Sequence, residues 1–83
     1  MYDIRYSQEV RNYLADNRFN YHVAGFHVEL KLLADTLDGL PADRDSCYHL
    51  SETERVYWLV EHHLVVYRRR TNELYVSEIK PLE

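Results

Sequence analysis

Cysteine occurs once in the chain, at position 47, so no internal disulfide can staple it and a reducing compartment suits it. Glycine and proline occur twice each among 83 residues, which excludes collagen-like and low-complexity classes. No apolar run approaches the roughly 20 residues of a membrane-spanning helix. The opening Met1-Tyr-Asp-Ile-Arg5 has neither the basic nor the apolar block of a secretory leader, so a cytoplasmic protein that does not engage membranes is expected. A basic field is missing as well: ten Lys and Arg against fourteen Asp and Glu leave a net charge of −4. Non-specific nucleic-acid binding needs an excess of cations, so any basic surface must be local.

Hydrophobic residues make up 46% of the chain and charged residues 29%, a globular composition rather than a disordered one. The length predicts one domain over 1–83, with Leu82-Glu83 read as a tag remnant that carries no structural weight. A domain this small buries only about 60% of its unfolded surface, so a partner chain is an economical source of extra stability. Eight Tyr, one Trp and two Phe point the same way, since Tyr and Trp serve interfaces as readily as cores. The charge is uneven. Residues 1–54 carry ten acids and five bases, whereas residues 55–80 carry Arg55, Arg68, Arg69, Arg70 and Lys80 against Glu61, Glu73 and Glu78. The basic surface therefore belongs to the C-terminal third.

Local periodicity predicts the elements. Tyr2-Asp-Ile-Arg-Tyr6 alternates as a strand, and Ser7 then offers a helix cap with Glu9 in the first turn. Val10, Tyr13 and Leu14 make the apolar face of a short helix ending near Asp16-Asn17. Asn20 caps a second helix whose stripe is Val23, Phe26, Leu30, Leu33 and Leu37, closed by Gly39 and Pro41. Residues 41–54 show no period and read as a loop with a solvated acidic rim at 43, 45, 52 and 54. Arg55-Val-Tyr-Trp-Leu-Val60, Leu64-Val-Val-Tyr-Arg68 and Leu74-Tyr-Val-Ser-Glu-Ile79 read as three strands joined by short turns, which allow only hairpins. The expected fold is α+β: a two-layer β-α-α-β-β-β arrangement with a helix hairpin on one face of a mainly antiparallel four-stranded sheet. The opposite sheet face is left free.

Side-chain alternation sorts that face only in part. Leu64, Val66, Arg68 and Arg70 point one way, and Val65, Tyr67 and Arg69 the other. Both sets are partly apolar. The assignment adopted here puts Tyr57, Tyr67, Arg69 and Tyr75 together on the open side, where arginine and tyrosine suit either RNA or a protein partner. Arg68-Arg69-Arg70 is read as a nucleic-acid grip or as a solvated strand end, with no more than two of the three sharing a face. Glu61, His63 and Arg69 supply a base, an acid and a cation for cleavage of RNA by its own 2′-hydroxyl, if the turn that carries the first two faces the third. His62 and His63 are adjacent, His22 and His27 stand five apart, and Cys47-Tyr-His49 lacks a second ligand pair, so no metal site is expected. Cys47 lies among acids and has no neighbouring base, which argues against a nucleophile.

The opening Tyr2-Asp-Ile-Arg-Tyr-Ser-Gln-Glu-Val-Arg-Asn-Tyr-Leu14, the helix end Leu33-Ala-Asp-Thr-Leu-Asp-Gly-Leu-Pro41 and the three-strand meander together resemble the RelE/ParE superfamily of type II toxin–antitoxin toxins. The resemblance rests on element order and hydrophobic pattern over nearly the whole chain. It implies a small bacterial toxin held by an antitoxin peptide or protein. Such toxins cleave mRNA on the ribosome in one branch and poison DNA gyrase in another, and no cofactor is implied. Carried over residue by residue, it implies Arg55, Arg68 and Arg69 as basic groups and Tyr75 as the aromatic group of an endoribonuclease site. The acidic balance and the closing Ser77-Glu-Ile-Lys80, which has no His-aromatic pair, depart from the nuclease pattern. They motivate the alternative, a catalytically inactive toxin-like scaffold that binds protein or forms a homodimer.

Overall fold

The computed structural model describes residues 2–50 and 52–82. Strand β1 (Asp3–Tyr6) leads into α1 (Gln8–Asp16), and α2 (Tyr21–Ala34) follows after a short turn. Ser7 caps α1 by accepting from the Val10 N–H at 3.2 Å, and the Asn20 carboxamide caps α2 by accepting from His22 and Val23. Both caps lie where the sequence predicts them. The end of α2 does not. The helix stops at Ala34, and the Thr36 hydroxyl intervenes by donating to Leu33 O and accepting from Gly39 N–H. Leu37 therefore leaves the predicted stripe and stands 95% exposed.

The C-terminal half is β2 (Cys47–Leu50), β3 (Arg55–Val60), β4 (His63–Arg70) and β5 (Glu73–Pro81), preceded by one 3₁₀ turn at Arg44–Ser46. The sheet has five strands in the order β1-β5-β4-β3-β2, which corrects the expected four. The added strand lies inside the segment read as a loop. Cys47–Leu50 is a short edge strand with one inward and one outward side, too brief for its alternation to register. The sheet is mixed, because β1 runs parallel to β5 with Ile4 opposite Leu74, while the other three pairings are antiparallel. No helix among the described residues is long and apolar enough to cross a membrane.

Both helices lie on one side of the sheet. Val10 of α1 and Val23, Phe26, Leu30 and Leu33 of α2 pack on Val56, Trp58, Val65, Tyr67, Leu74, Val76 and Ile79. Each fully buried aliphatic or aromatic side chain is worth roughly 1.5–3 kcal/mol against exposure, and this layer is the domain's main source of stability. Its composition decides the strand parity. Val65 and Tyr67 are fully buried, so the odd positions of β4 face the helices. Tyr67 and Arg69 are therefore on the covered side, which corrects the open-face grouping of Tyr57, Tyr67, Arg69 and Tyr75. The helix hairpin leaves room beneath its closing loop for a large ring, and Tyr67 fills it.

The Tyr67 hydroxyl donates to Gly39 O at 2.7 Å, and burial pushes its pKa up. Gly39 has a φ of +67°, and an added Cβ would meet Leu74, Arg69 and Tyr2 at 3.2–3.3 Å. Glycine meets both demands without strain. The Tyr67→Phe variant keeps the ring and leaves Gly39 O without its donor. Urea unfolding should read a loss of about 1–3 kcal/mol, with an unchanged m-value.

Candidate nucleic-acid interface on the open sheet face

On the side away from the helices, four strands bring a row of long side chains into register. Arg55 on β3 lies opposite Arg68 on β4, which lies opposite Tyr75 on β5, which pairs with Arg5 on β1. Like charges directly opposite each other across a sheet repel. The sequence nevertheless places Arg55 and Arg68 as immediate neighbours, and neither makes an ion pair among the described residues. Arg68 Nε donates to Thr53 O at 3.4 Å, and Arg55 donates to the Tyr57 hydroxyl at 3.5 Å. That hydroxyl, with Glu78 behind it, raises the Arg55 pKa further. Arg70 extends the row by stacking over the Tyr75 ring, 4.9 Å from its centroid, and its charge is shared with Glu73 at 3.8 Å.

A cleft of about 600 Å³ opens beside this row, lined by Arg55, Tyr57, Val66, Tyr75, Ser77 and Glu78 with the start of α1 at Ser7, Gln8 and Glu9. Its shape depends on a single irregularity. Val66 pairs with Glu78 and Tyr67 with Val76, so Ser77 is an extra residue, a β-bulge. The Ser77 hydroxyl donates to Val66 O, and Ser77 O accepts from the Ser7 hydroxyl, which ties the bulge to the cap of α1. The bulge reverses parity along β5. Tyr75 and Glu78 both reach the open face, while Val76 and Ile79 both reach the core. Strict alternation assigns Glu78 to the opposite side from Tyr75, so the sequence reading missed this carboxylate. A serine within a strand is its only trace in the sequence.

The proposed site residues divide accordingly. Arg55 and Tyr75 come together at the cleft, with Arg68 and Arg70 on the same face. Arg69 does not join them. From the covered side its guanidinium donates to the Glu54 carboxylate at 2.6 and 2.9 Å and to Asp38 O, and it lies 3.3 Å from His49 Nε2. One arginine thus ties the end of β4 to β2, to the turn before β3 and to the loop after α2. His63 is also structural. It is buried, with Nδ1–H donating to Glu61 O at 2.6 Å, and Nε2 lies 2.6 Å from the Tyr13 hydroxyl. A carbonyl only accepts, so Nδ1 carries a proton, and the Tyr13 hydroxyl is the hydrogen-bond partner of Nε2. His63 starts β4 and Arg69 nearly ends it, six residues further along. The expected constellation of Glu61, His63 and Arg69 is therefore not assembled.

Glu61 has its own setting. Glu61 and His62 form the hairpin turn with φ of 52° and 58°, left-handed at both positions as a type I′ turn requires. The Glu61 carboxylate lies 3.4 Å from His22 Nδ1 and lies against Gly25, where any Cβ would come within 2.6 Å of its carboxyl carbon. Burial, reinforced by Asp43, raises the Cys47 thiol pKa, which opposes nucleophilic chemistry there. Among the described residues, no three His, Cys, Asp or Glu side chains are grouped to hold a metal ion.

Comparison with known proteins returns no match among family models, curated proteins or solved structures.

The Arg69 hydrogen bond, joined by that of His49, holds the Glu54 carboxyl below its ordinary value of 4.5. A folded pKa below the unfolded one stabilises the fold fully above about pH 4.5, and that contribution is lost as pH falls through the depressed value. Glu54→Gln should flatten the acid limb of a plot of denaturant midpoint against pH below 4.5, leaving the midpoints at pH 7 and above lower than wild type. An unchanged acid limb would remove the clamp's ionic character.

Proposed function

We propose that this protein is a RelE/ParE-like toxin whose open sheet face binds single-stranded RNA and cleaves it. The observation that carries the reading is the unneutralised pair Arg55 and Arg68, directly opposed on the sheet and flanked by Tyr57 and Tyr75. Two cations held together against their repulsion favour an anion that bridges them, and a phosphodiester fits guanidinium geometry. Tyrosine rings on either side offer stacking surfaces for the adjoining bases, as on other sheets that bind single strands. An element order of strand, two helices and an antiparallel meander supports the family reading. An antitoxin is then the expected partner, and ribosome-bound mRNA the expected target.

For the chemistry, Glu78 accepts the proton of the 2′-hydroxyl, whose oxygen attacks the adjacent phosphorus. Arg55 stabilises the charge that develops on the phosphoryl oxygens. The 5′-oxygen leaves with a proton from Tyr57 or solvent, and the products are a 2′,3′-cyclic phosphate and a 5′-hydroxyl. Glu78 and Tyr57 here take the roles that the sequence reading gave to Glu61 and His63.

Fluorescence anisotropy with a labelled single-stranded RNA, titrated over a range of salt, tests the binding. Arg55→Ala and Arg68→Ala should each lower the slope of log K against log salt by about 0.7, as expected for one lost phosphate contact. Tyr75→Ala should weaken binding by about 1–3 kcal/mol with the slope unchanged. In a cleavage assay, Glu78→Gln should bind as wild type and yield no cyclic phosphate. Wild-type protein that binds no RNA overturns the whole reading; wild-type protein that binds but never cleaves overturns its catalytic half.

A further inference from the structure

Helix α2 is apolar on the side it turns away from the sheet as well as on the side it buries. Tyr21, Val28 and Leu32 stand 84%, 61% and 60% exposed, at positions where a surface helix ordinarily carries charge. Beside this ridge, between α2 and β3, runs a groove of about 370 Å³ lined by Leu33, Leu40, Pro41 and Trp58, with Leu32 at one side and the β3 edge at the other. The groove is open because β2 pairs with β3 only as far as Trp58, leaving Leu59 and Val60 without a neighbour on that edge. A contiguous ridge and groove of this kind on a small domain marks a contact surface.

Charge indicates the occupant. Glu29 and Asp43 line the groove, and Lys31 is exposed on the flank of the ridge, one residue from Leu32. None of the three makes an ion pair among the described residues. A two-fold interface requires one surface to carry both halves of each contact. This surface does: an apolar ridge flanked by a cation without an ion pair adjoins an apolar groove bearing Glu29 and Asp43, whose carboxylates make no ion pair although Asp43 accepts from the Asp45 N–H, and Leu32 belongs to both.

We propose that this face is a homodimer interface, in which Val28 and Leu32 of each copy enter the groove of the other and Lys31 pairs with Asp43 across the two-fold axis. The open sheet face lies on the opposite side of the domain, so dimer formation leaves the arginine row accessible in both copies.

Sedimentation equilibrium on the whole chain tests the assembly. Wild-type protein should dimerise with a dissociation constant at or below about 10 µM. Leu32→Glu should weaken association at least tenfold, and far-UV circular dichroism should be unchanged because the side chain is exposed. Lys31→Glu and Asp43→Lys should each weaken it as well, and the double variant, which restores opposite charges with their places exchanged, should recover most of the loss. A monomer at ~100 µM wild-type protein overturns the proposal. So does a Leu32→Glu variant that dimerises like wild type, or a double variant no tighter than the singles.

Discussion

Residues along β4 alternate between a face that must be dry and a face that need not be, and the alternation divides the arginine run. Val65 and Tyr67 must be covered, because they sit at the centre of the sheet beneath Phe26, Leu30 and Leu33 of the helix hairpin. Arg69 then falls on the covered side, and Arg68 and Arg70 fall on the free side. Neither set has a choice once Tyr67 is placed. The cation at 69 meets the ends of three other segments and becomes a clamp. The cations at 68 and 70 meet solvent, an aromatic ring and each other's field. Neighbouring arginines thus acquire opposite roles from the pleat alone.

Polar groups inside the domain are used to join segments distant in the chain. Tyr67 reaches Gly39, Tyr13 reaches His63, and Arg69 reaches Asp38, Glu54 and His49. Among the described residues, no fully buried side-chain nitrogen or oxygen lacks a partner, so burial of these groups does not leave an uncompensated desolvation cost. The arrangement suits a small core, where directional bonds fix the loop after α2 and the turn before β3 more sharply than packing alone.

Much of this architecture is legible in the sequence, and the parts that are not have physical reasons. The caps Ser7 and Asn20, the stripe from Val23 to Leu33 and the strands β3, β4 and β5 are encoded locally, by hydrogen-bonding side chains next to periodic apolar ones. Leu37 misled because the Thr36 hydroxyl competes for the backbone that would have continued the helix. Strand β2 was hidden because four residues at an edge bury too little to impose a pattern. The inward turn of Tyr67 was hidden because both sides of β4 are apolar, and only the volume under the loop at Gly39 distinguishes them. Glu78 was hidden by one additional residue in the ladder at Ser77. Tyr57 and Tyr75 lie on the open face as simple alternation places them, since neither is reached by the bulge at Ser77.

The parallel pairing of β1 with β5 has a consequence for biosynthesis. A bond such as that from Ser7 to Ser77 spans 70 residues, so the first strand waits for the fifth. While the chain is still leaving the ribosome, α1 and α2 have only each other to cover. The hairpins arrive last, and with them the surface that carries Arg55, Arg68 and Tyr75. That surface is therefore assembled only after β5 has emerged.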